Sequence, residues 1–387
     1  MKVLIVGGGM YVTGKGTNNL GTILPGLFKA STRNNIDELA LVVTNTKSAK
    51  YAKSRFNKIN KLFNTKIKFK SFPEKHNNVN EYKKVVEHFK PDAAIVCVPD
   101  HLHYKITSFL LKQKIHCLVV KPLTDNLKDG KKLRNLANNN KLLGLVEFHK
   151  RFDEANLIIK NKVNKGEIGS LLYAVIEYSQ KIIIPTNIFK SWSNKSNVFQ
   201  YLGVHYVDLI YFLTNFKPFK VKAWGQKEVL KKYKINTWDS IQVVIEWKKP
   251  NGEIFVSTHI TNWIESNNSS AMSDQKISII GENGKILSDQ KNRGLQIINN
   301  KNKIQDINPY FTSFNDSSKF TEDIFFGYGI KSVSNFIDYV DKIINTNTNY
   351  KLFEKNNSSF EESLISTAVV EAVNKSLITK KTQLVKL

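Results

Sequence analysis

Lys2-Val-Leu-Ile-Val-Gly-Gly-Gly-Met-Tyr-Val-Thr-Gly-Lys-Gly16 is the stretch that decides how this chain is read. Val3 to Val6 is a short β-branched and aliphatic run, the composition of a strand buried on both faces. Gly7, Gly8 and Gly9 end it abruptly, and residues without a Cβ let the backbone turn sharply and come close to a ligand. In an α/β sheet such a turn hands its N–H groups to the next helix start, where a phosphate can sit.

Two nucleotide-binding patterns each fall short by a single position. G-x-G-x-x-G is met by Gly7 and Gly9 but ends on Val12. G-x-x-x-x-G-K-[ST] is met by Gly9, Gly14 and Lys15 but ends on Gly16, with Thr17 one place late. The remainder of the chain has to separate a dinucleotide from a triphosphate.

With 387 residues the chain is long enough for two domains, each with a sizeable core. Hydrophobic residues at 41 % and charged residues at 24 % describe a soluble globular protein. No apolar run approaches the ~20 residues of a membrane span, and the N-terminus lacks the order of a signal peptide. The expectation is a cytoplasmic protein without a membrane partner. Cys97 and Cys117 sit in apolar runs and read as buried free thiols, with neither a disulfide framework nor a metal site indicated. The net charge of +25 invites a nucleic-acid reading. Its lysines, however, are spread along the chain among abundant Asn and Ile, the mixture that AT-rich codons produce, so no nucleic-acid partner is expected. An anionic substrate or cofactor still feels the positive field.

In order along the chain, a helix over about 22–30 and a strand at Leu39–Val43 follow the glycine turn, after a loop running on through Asn18 and Asn19. The strand ends in Thr44-Asn-Thr-Lys47 with no carboxylate to hold a ribose 2′-hydroxyl, so these residues lean towards NADP over NAD. A basic helix over 48–62, a strand at Ile67–Phe72 and a helix over 79–90 come next. Asp92–Val98 is a buried strand closed by Pro99-Asp-His-Leu-His-Tyr104, and Pro99 with two histidines is odd company for the magnesium of a triphosphatase. Helix 104–113, strand Ile115–Val120 ending in Lys121-Pro122, and strand Leu143–Val146 continue a rhythm that indicates a doubly wound parallel sheet. A further helix reaches about Asn164. Beyond Gly169 the rhythm changes. Strands at 171–178, 221–224, 240–247, 254–260, 277–280 and 295–298 succeed one another with turn signals at Asn251-Gly252 and Asn283-Gly284, which predicts a mostly antiparallel sheet. A helix over 198–214 interrupts it, 299–319 reads as a long loop, and helices over 331–345 and 360–378 close the chain. Ser359 with Glu362 fits a capping box for the last.

A dinucleotide-type first half, Lys121-Pro122 after its fifth strand, and Gly203-Val-His-Tyr-Val-Asp-Leu209 in a mixed second half together resemble the Gfo/Idh/MocA oxidoreductase family. The likeness runs over nearly the whole chain, whereas a triphosphatase uses only its beginning. Within the family, His149-Lys-Arg-Phe-Asp153, Ser179-Gln-Lys181, Phe189-Lys-Ser-Trp192 and His205-Tyr-Val-Asp208 look most like the D-galacturonate reductase branch. The resemblance implies an α/β fold: an N-terminal Rossmann-type doubly wound parallel sheet, then a C-terminal α+β domain with a mostly antiparallel open sheet. The expected divisions are 1–125 for the dinucleotide, 126–350 for substrate and oligomerisation, and 351–387 as a helix returning to the first domain.

Reduction of a carbonyl needs a proton donor at oxygen, and Lys121 ends a buried strand where such sheets bind ligands. His205 is the second candidate, with Asp208 on the same helix face to fix its tautomer or to pack. In the family an acidic residue usually precedes the lysine and an Asp lies one turn before the histidine. Here these places hold Val120 and Tyr201, and the Tyr201 phenol can also donate to a carbonyl oxygen. The expected cofactor contacts are Gly7, Gly8, Gly9, Met10, Tyr11, Thr44, Asn45, Pro99, His103, Lys121, Pro122 and Glu147, with Tyr11 and Thr13 covering NAD or NADP. For substrate, the candidates are His149, Lys150, Lys181 and Trp192, a lysine pairing with a sugar carboxylate and the indole stacking on a sugar face. The implied activity is NAD(P)-dependent hydride transfer to a sugar or sugar acid, in its most concrete form reduction of D-galacturonate or a similar uronate. The alternatives are a dehydrogenase of a free or nucleotide-linked sugar ring hydroxyl and a non-catalytic sugar or cofactor sensor. A homodimer or homotetramer is expected.

Overall fold

The aliphatic runs of the first half become parallel strands because each can be covered on both faces. The computed structural model describes residues 1–17, 19–33, 36–63, 65–300, 303–314, 324–355 and 357–387, so Asn18 of the expected loop lies outside the described residues. Strands β1 (Lys2–Val6), β2 (Glu38–Val42), β3 (Lys68–Phe72), β4 (Ala93–Val96), β5 (His116–Val120) and β6 (Gly144–Glu147) form one parallel sheet in the order β3-β2-β1-β4-β5-β6. Helices α1 (Met10–Thr13), α2 (Ile23–Ser31), α3 (Thr46–Phe63), α4 (Glu81–Phe89), α5 (His103–Lys112) and α6 (Leu127–Asn139) connect them. Ile5, Leu41 and Ile95 from the sheet and Leu24, Leu27 and Phe28 from α2 are fully buried in one cluster. The order reverses between β1 and β4, and the crevice outside the carboxyl ends at such a reversal is where these sheets take ligands. Helix α6 escaped the sequence reading because Gly130 stands mid-helix and few apolar residues mark its inward face, of which Gly130, Leu133 and Ala137 are buried.

The chain divides into two units: residues 1–124, 128–149 and 310–363, and residues 125–127, 150–309 and 364–387. The second unit contains α7 (Glu154–Asn164), β7 (Leu171–Lys181), α8 (Val204–Thr214), β8 (Lys217–Gln226), β9 (Ser240–Lys248), β10 (Ile254–Glu265), β11 (Ser273–Gly281), β12 (Gly284–Asp289), and the hairpin β13 (Leu295–Asn299) and β14 (Lys303–Ile307). The chain then runs through β15 (Ser313–Phe314), β16 (Phe325–Phe326), α9 (Tyr328–Thr346), α10 (Lys351–Glu354), α11 (Phe360–Thr379) and β17 (Gln383–Leu384). Seven strands form a mixed sheet in the order β12-β11-β7-β10-β9-β8-β17, antiparallel except for β7 beside β10. Alternation along β9 sends Ile241, Val243, Ile245 and Trp247 into the core and leaves Gln242, Val244 and Glu246 half-exposed on the open face.

The segment expected as a loop over 299–319 contains β14 and β15, while 301–302 and 315–319 lie outside the described residues. The strand expected at 295–298 pairs with β14 rather than joining the large sheet. Glu282 and Asn283 form the β11–β12 turn, since Gly281 already pairs with Gly284. The capping box at α11 is made on the serine side, Ser359 Oγ accepting the Glu362 N–H at 3.2 Å.

Two buried histidines make this fold acid-sensitive. His116 Nδ1 accepts the Leu143 N–H at 2.9 Å, and burial holds its pKa down at about 4. In the second unit Trp247 Nε1 donates to Ser257 Oγ at 2.8 Å, leaving the Ser257 hydroxyl proton for His259 Nε2 at 2.9 Å; burial holds His259 at about 3. Both rings are neutral when folded and take up a proton when unfolded, so stability is present above about 6.5 and falls as the pH drops below it. Each histidine should cost its own unit about 2 kcal/mol between pH 7.5 and pH 5. Urea unfolding followed at both pH values measures this, and equal midpoints would contradict it.

Candidate functional site

The glycine turn is built from backbone crowding on one side and open space on the other. Gly7 donates its N–H to the Val42 carbonyl at 2.8 Å and has φ +113°; a Cβ there would lie 1.9 Å from the Cys97 carbonyl oxygen. Gly9 is the N-cap of α1, is exposed, and has no atom within 4 Å of where its Cβ would stand. Gly8 lies between, with its absent Cβ 2.6 Å from Val43 Cγ1, and Met10 is partly buried at the first turn of α1. Val12, at the third glycine place, is fully buried in the core cluster. Thr13 is not a lid as expected: it is buried, and its hydroxyl lies 3.1 Å from both the Gly8 and Gly9 carbonyls, pinning the turn from inside.

The carboxyl ends of β4, β5 and β6 add Pro99, Lys121, Pro122, Glu147 and His149 to the same unit. Lys121 is partly buried, and burial lowers its pKa to about 8 against the opposing pull of Asp100 and Glu147. Glu147 is buried; Oε1 accepts the Ser332 hydroxyl at 2.6 Å and Oε2 accepts from His149 Nδ1 at 3.1 Å. The Tyr11 hydroxyl stands 3.3 Å from that nitrogen, its pKa raised by burial first and by Glu147 second. Tyr328 and Phe311 cover the His149 ring, with centroids at 5.7 and 5.0 Å.

Two expected cofactor contacts have other work. The buried His103 ring lies between two carbonyl oxygens, Nδ1 2.7 Å from that of Pro122 and Nε2 2.9 Å from that of Val98, and the nitrogen that carries the proton donates to its neighbour, which packs the ring between the segments that follow β4 and β5. Asn45 Oδ1 accepts the Ser48 N–H at 2.9 Å and caps α3. Thr44 beside it is exposed. Lys15, from the loop after the glycine turn, donates to Ser48 Oγ at 3.0 Å.

In the second unit, His205 and Asp208 are buried on α8, and both Asp208 oxygens accept from Arg151, at 2.9 and 2.7 Å. The His205 ring lies 6.2 Å from Tyr178 between centroids. Tyr201 sits in a π-helical turn at Phe199–Gly203, a distortion frequent at functional sites. Phe189, Trp192 and Trp263 surround its ring at 5.0, 5.9 and 5.7 Å. Lys181 is partly buried, and burial lowers its pKa while Glu265 pulls it back.

The residues of both units match one family in sequence. An oxidoreductase family model with an NAD-binding Rossmann fold covers residues 1–148, and a GFO/IDH/MocA C-terminal domain covers residues 157–287. The chain belongs to the Gfo/Idh/MocA oxidoreductase family. Among curated proteins it is similar to scyllo-inositol 2-dehydrogenase (NADP(+)) IolW of Bacillus subtilis, 24 % identical over 102 residues, 26 % of this chain and 28 % of that protein. The matched segments span 21 % to 28 % of the length of the curated relatives. Among solved structures, myo-inositol 2-dehydrogenase from Lactobacillus plantarum aligns over 100 % of this chain and 99 % of its own, with TM-score 0.70 and 13 % identity. Scyllo-inositol dehydrogenase from Lactobacillus casei, solved with NAD(H) and scyllo-inositol, covers 100 % and 99 % with TM-score 0.67 and 17 % identity. At these identities the structures establish the fold alone.

One expected substrate contact does not hold in this structure. Lys150 is 1 % exposed; its ammonium donates to the Gln275 and Gln290 side-chain oxygens and lies over the Tyr206 and Tyr178 rings at 4.8 and 5.5 Å. It has no surface left to offer a sugar. The sequence reading also missed Arg151 and Ser332. Arg151 was within reach, lying in the same charged run as His149. Ser332 was not, because 185 residues separate it from Glu147.

Proposed function

We propose that this Gfo/Idh/MocA protein is an NAD(P)-dependent oxidoreductase that moves a hydride between the nicotinamide and a CH–OH or carbonyl carbon of a sugar or sugar acid. The observation that carries it is Lys121, a partly buried ammonium with its pKa brought to about 8, at the carboxyl end of β5. An acid of that strength can donate near neutrality. A dinucleotide suits the first unit: the strand order reverses beside the glycine turn, and the space over Gly9 is open to a pyrophosphate. When bound, the dinucleotide supplies or accepts the hydride. In the first unit Lys121 is the residue that protonates the carbonyl oxygen; in the second, His205 is the other candidate donor and Tyr201 holds the place of the usual Asp. In the second unit Trp192 and Lys181 are the residues offered to the sugar; in the first, His149, two residues beyond the end of β6, is a further candidate contact. Lys181 also favours a carboxylate on the substrate, which makes a uronate such as D-galacturonate the specific reading. The inositol dehydrogenases among its similar structures favour a cyclic polyol as the second.

NADP suits the end of β2 better than NAD. No carboxylate stands at Thr44–Lys47, and Lys15 reaches Ser48 there, so a 2′-phosphate would meet an ammonium and hydroxyls. The open face of the second sheet carries exposed Tyr173, Trp224, Ile260 and Leu287, and association into a homodimer or homotetramer would cover it.

Fluorescence titration with NADPH and NADH, followed by turnover on uronates, neutral aldoses and inositols, tests this reading. Binding of neither nucleotide would sink it. Lys15→Ala is expected to weaken NADPH by about tenfold, the loss of one charge-assisted contact, and to leave NADH unchanged. Equal effects on both nucleotides would remove the preference for NADP.

A further inference from the structure

The acidic residue that usually precedes the family lysine is Val120 here, yet a buried carboxylate stands beside it. In the parallel register of β5 and β6, Val120 pairs with Glu147. Neighbours across a parallel ladder lie about 5 Å apart and face the same side of the sheet. Glu147 therefore presents its carboxylate close to where a carboxylate at position 120 would start, one strand over. We propose that Glu147 is the positioning residue for Lys121, supplying from β6 the carboxylate that β5 lacks.

Three observations support the assignment. Glu147 is 2 % exposed, and a buried carboxylate without a nearby cation is costly, so Lys121 and Glu147 each lower the cost of keeping the other charged. The carboxylate cannot swing freely, because Ser332 from α9 holds one oxygen and His149 the other. Its field reaches the groups around the lysine, raising the pKa values of Tyr11 and Cys97 as well as opposing the fall at Lys121. The charged and titratable groups acting on Lys121 include Asp100, Glu147 and Cys97; those acting on or bonded to Glu147 include Lys121, Tyr11, His149 and Cys97. Asp100, in the turn after β4, is the other carboxylate on Lys121 and serves as the comparison.

The inference rests on Lys121 as the proton donor, but its test does not need turnover. The rate of Lys121 acetylation by limiting acetic anhydride, read by peptide mass spectrometry across pH 6 to 11, reports the midpoint of its ammonium. Glu147→Gln, which keeps the shape, is expected to lower that midpoint by about one pH unit. Adding Val120→Glu to that variant is expected to bring it back up. A midpoint unmoved by Glu147→Gln overturns the proposal, and so does a fallen midpoint that Val120→Glu leaves down. Should Glu147→Gln not fold, Glu147→Asp withdraws the charge by one methylene and is expected to lower the midpoint by a smaller step; no step overturns the proposal. Asp100→Asn is the comparison: if it lowers the midpoint while Glu147→Gln does not, the role passes to Asp100 and the proposal is overturned. If neither nucleotide binds the wild-type protein, the oxidoreductase reading fails whatever the labelling gives; if they bind and the midpoint stays, only the role of Glu147 fails.

Discussion

Lys121→Ala is expected to lower kcat/KM for carbonyl reduction by about 10³-fold at pH 7, within the range of a lost general acid, while leaving the NADPH Kd within about threefold. The two halves of this expectation separate a proton donor from a residue that only holds the cofactor. In the wild-type protein the reductive rate should fall as the pH climbs through about 8, because the ammonium is the donating form. Stability should move the other way. The unfolded lysine titrates near its ordinary 10.5 and the folded one near 8, so between these values the unfolded chain binds more protons and stability rises with pH. Below pH 8 the full cost is present, at most about 3 kcal/mol. Lys121→Met should recover part of it, giving a higher Tm at pH 7 in an inactive protein. A variant that loses activity and stability together would point instead to a structural lysine.

Gly7→Ala and Gly9→Ala should fail in different ways although they stand two residues apart. At Gly7 a methyl group would collide with the Cys97 carbonyl carbon and oxygen at a φ of +113° that side chains rarely adopt. Neither strand can retreat, since Cys97 N–H bonds the Val6 carbonyl at 2.8 Å and the strands on either side are buried. A loss of more than about 4 kcal/mol is expected, seen as failure to fold or a sharply lowered Tm. At Gly9 the same methyl meets no protein atom and φ is an ordinary −78°. The Tm should stay within about 2 °C, while the Kd for NADPH rises about tenfold or more as the methyl occupies space left for the dinucleotide. A Gly9→Ala protein that binds NADPH like wild type would remove the pyrophosphate from that place.

Much of the first unit was legible because its signals are local. Val3–Val6, Leu39–Val43 and Ile115–Val120 are short, mostly aliphatic runs of the kind a doubly covered strand takes, and each is followed by its breaker or helix. Helix α6 was lost for the complementary reason, since its buried face is made largely of a glycine and an alanine that carry little periodic signal. The strand alternation of the second half was equally readable, but the membership of β13 in its own hairpin depends on a pairing partner that no local pattern names.

The side chains at the candidate site divide along the same line. Local sequence fixed the positions that an element's end dictates: Gly7 to Gly9 after β1, Lys121 after β5 and Glu147 as the last residue of β6. What those groups do to one another follows from long-range packing. It buried Lys150, turned His103 to two carbonyls, gave Asp208 to Arg151 and brought Ser332 onto Glu147. The reason is physical. Strand ends and sharp turns are fixed by near-neighbour sterics, whereas burial and polar pairing depend on groups far away in the chain, 185 residues in the case of Ser332 and Glu147.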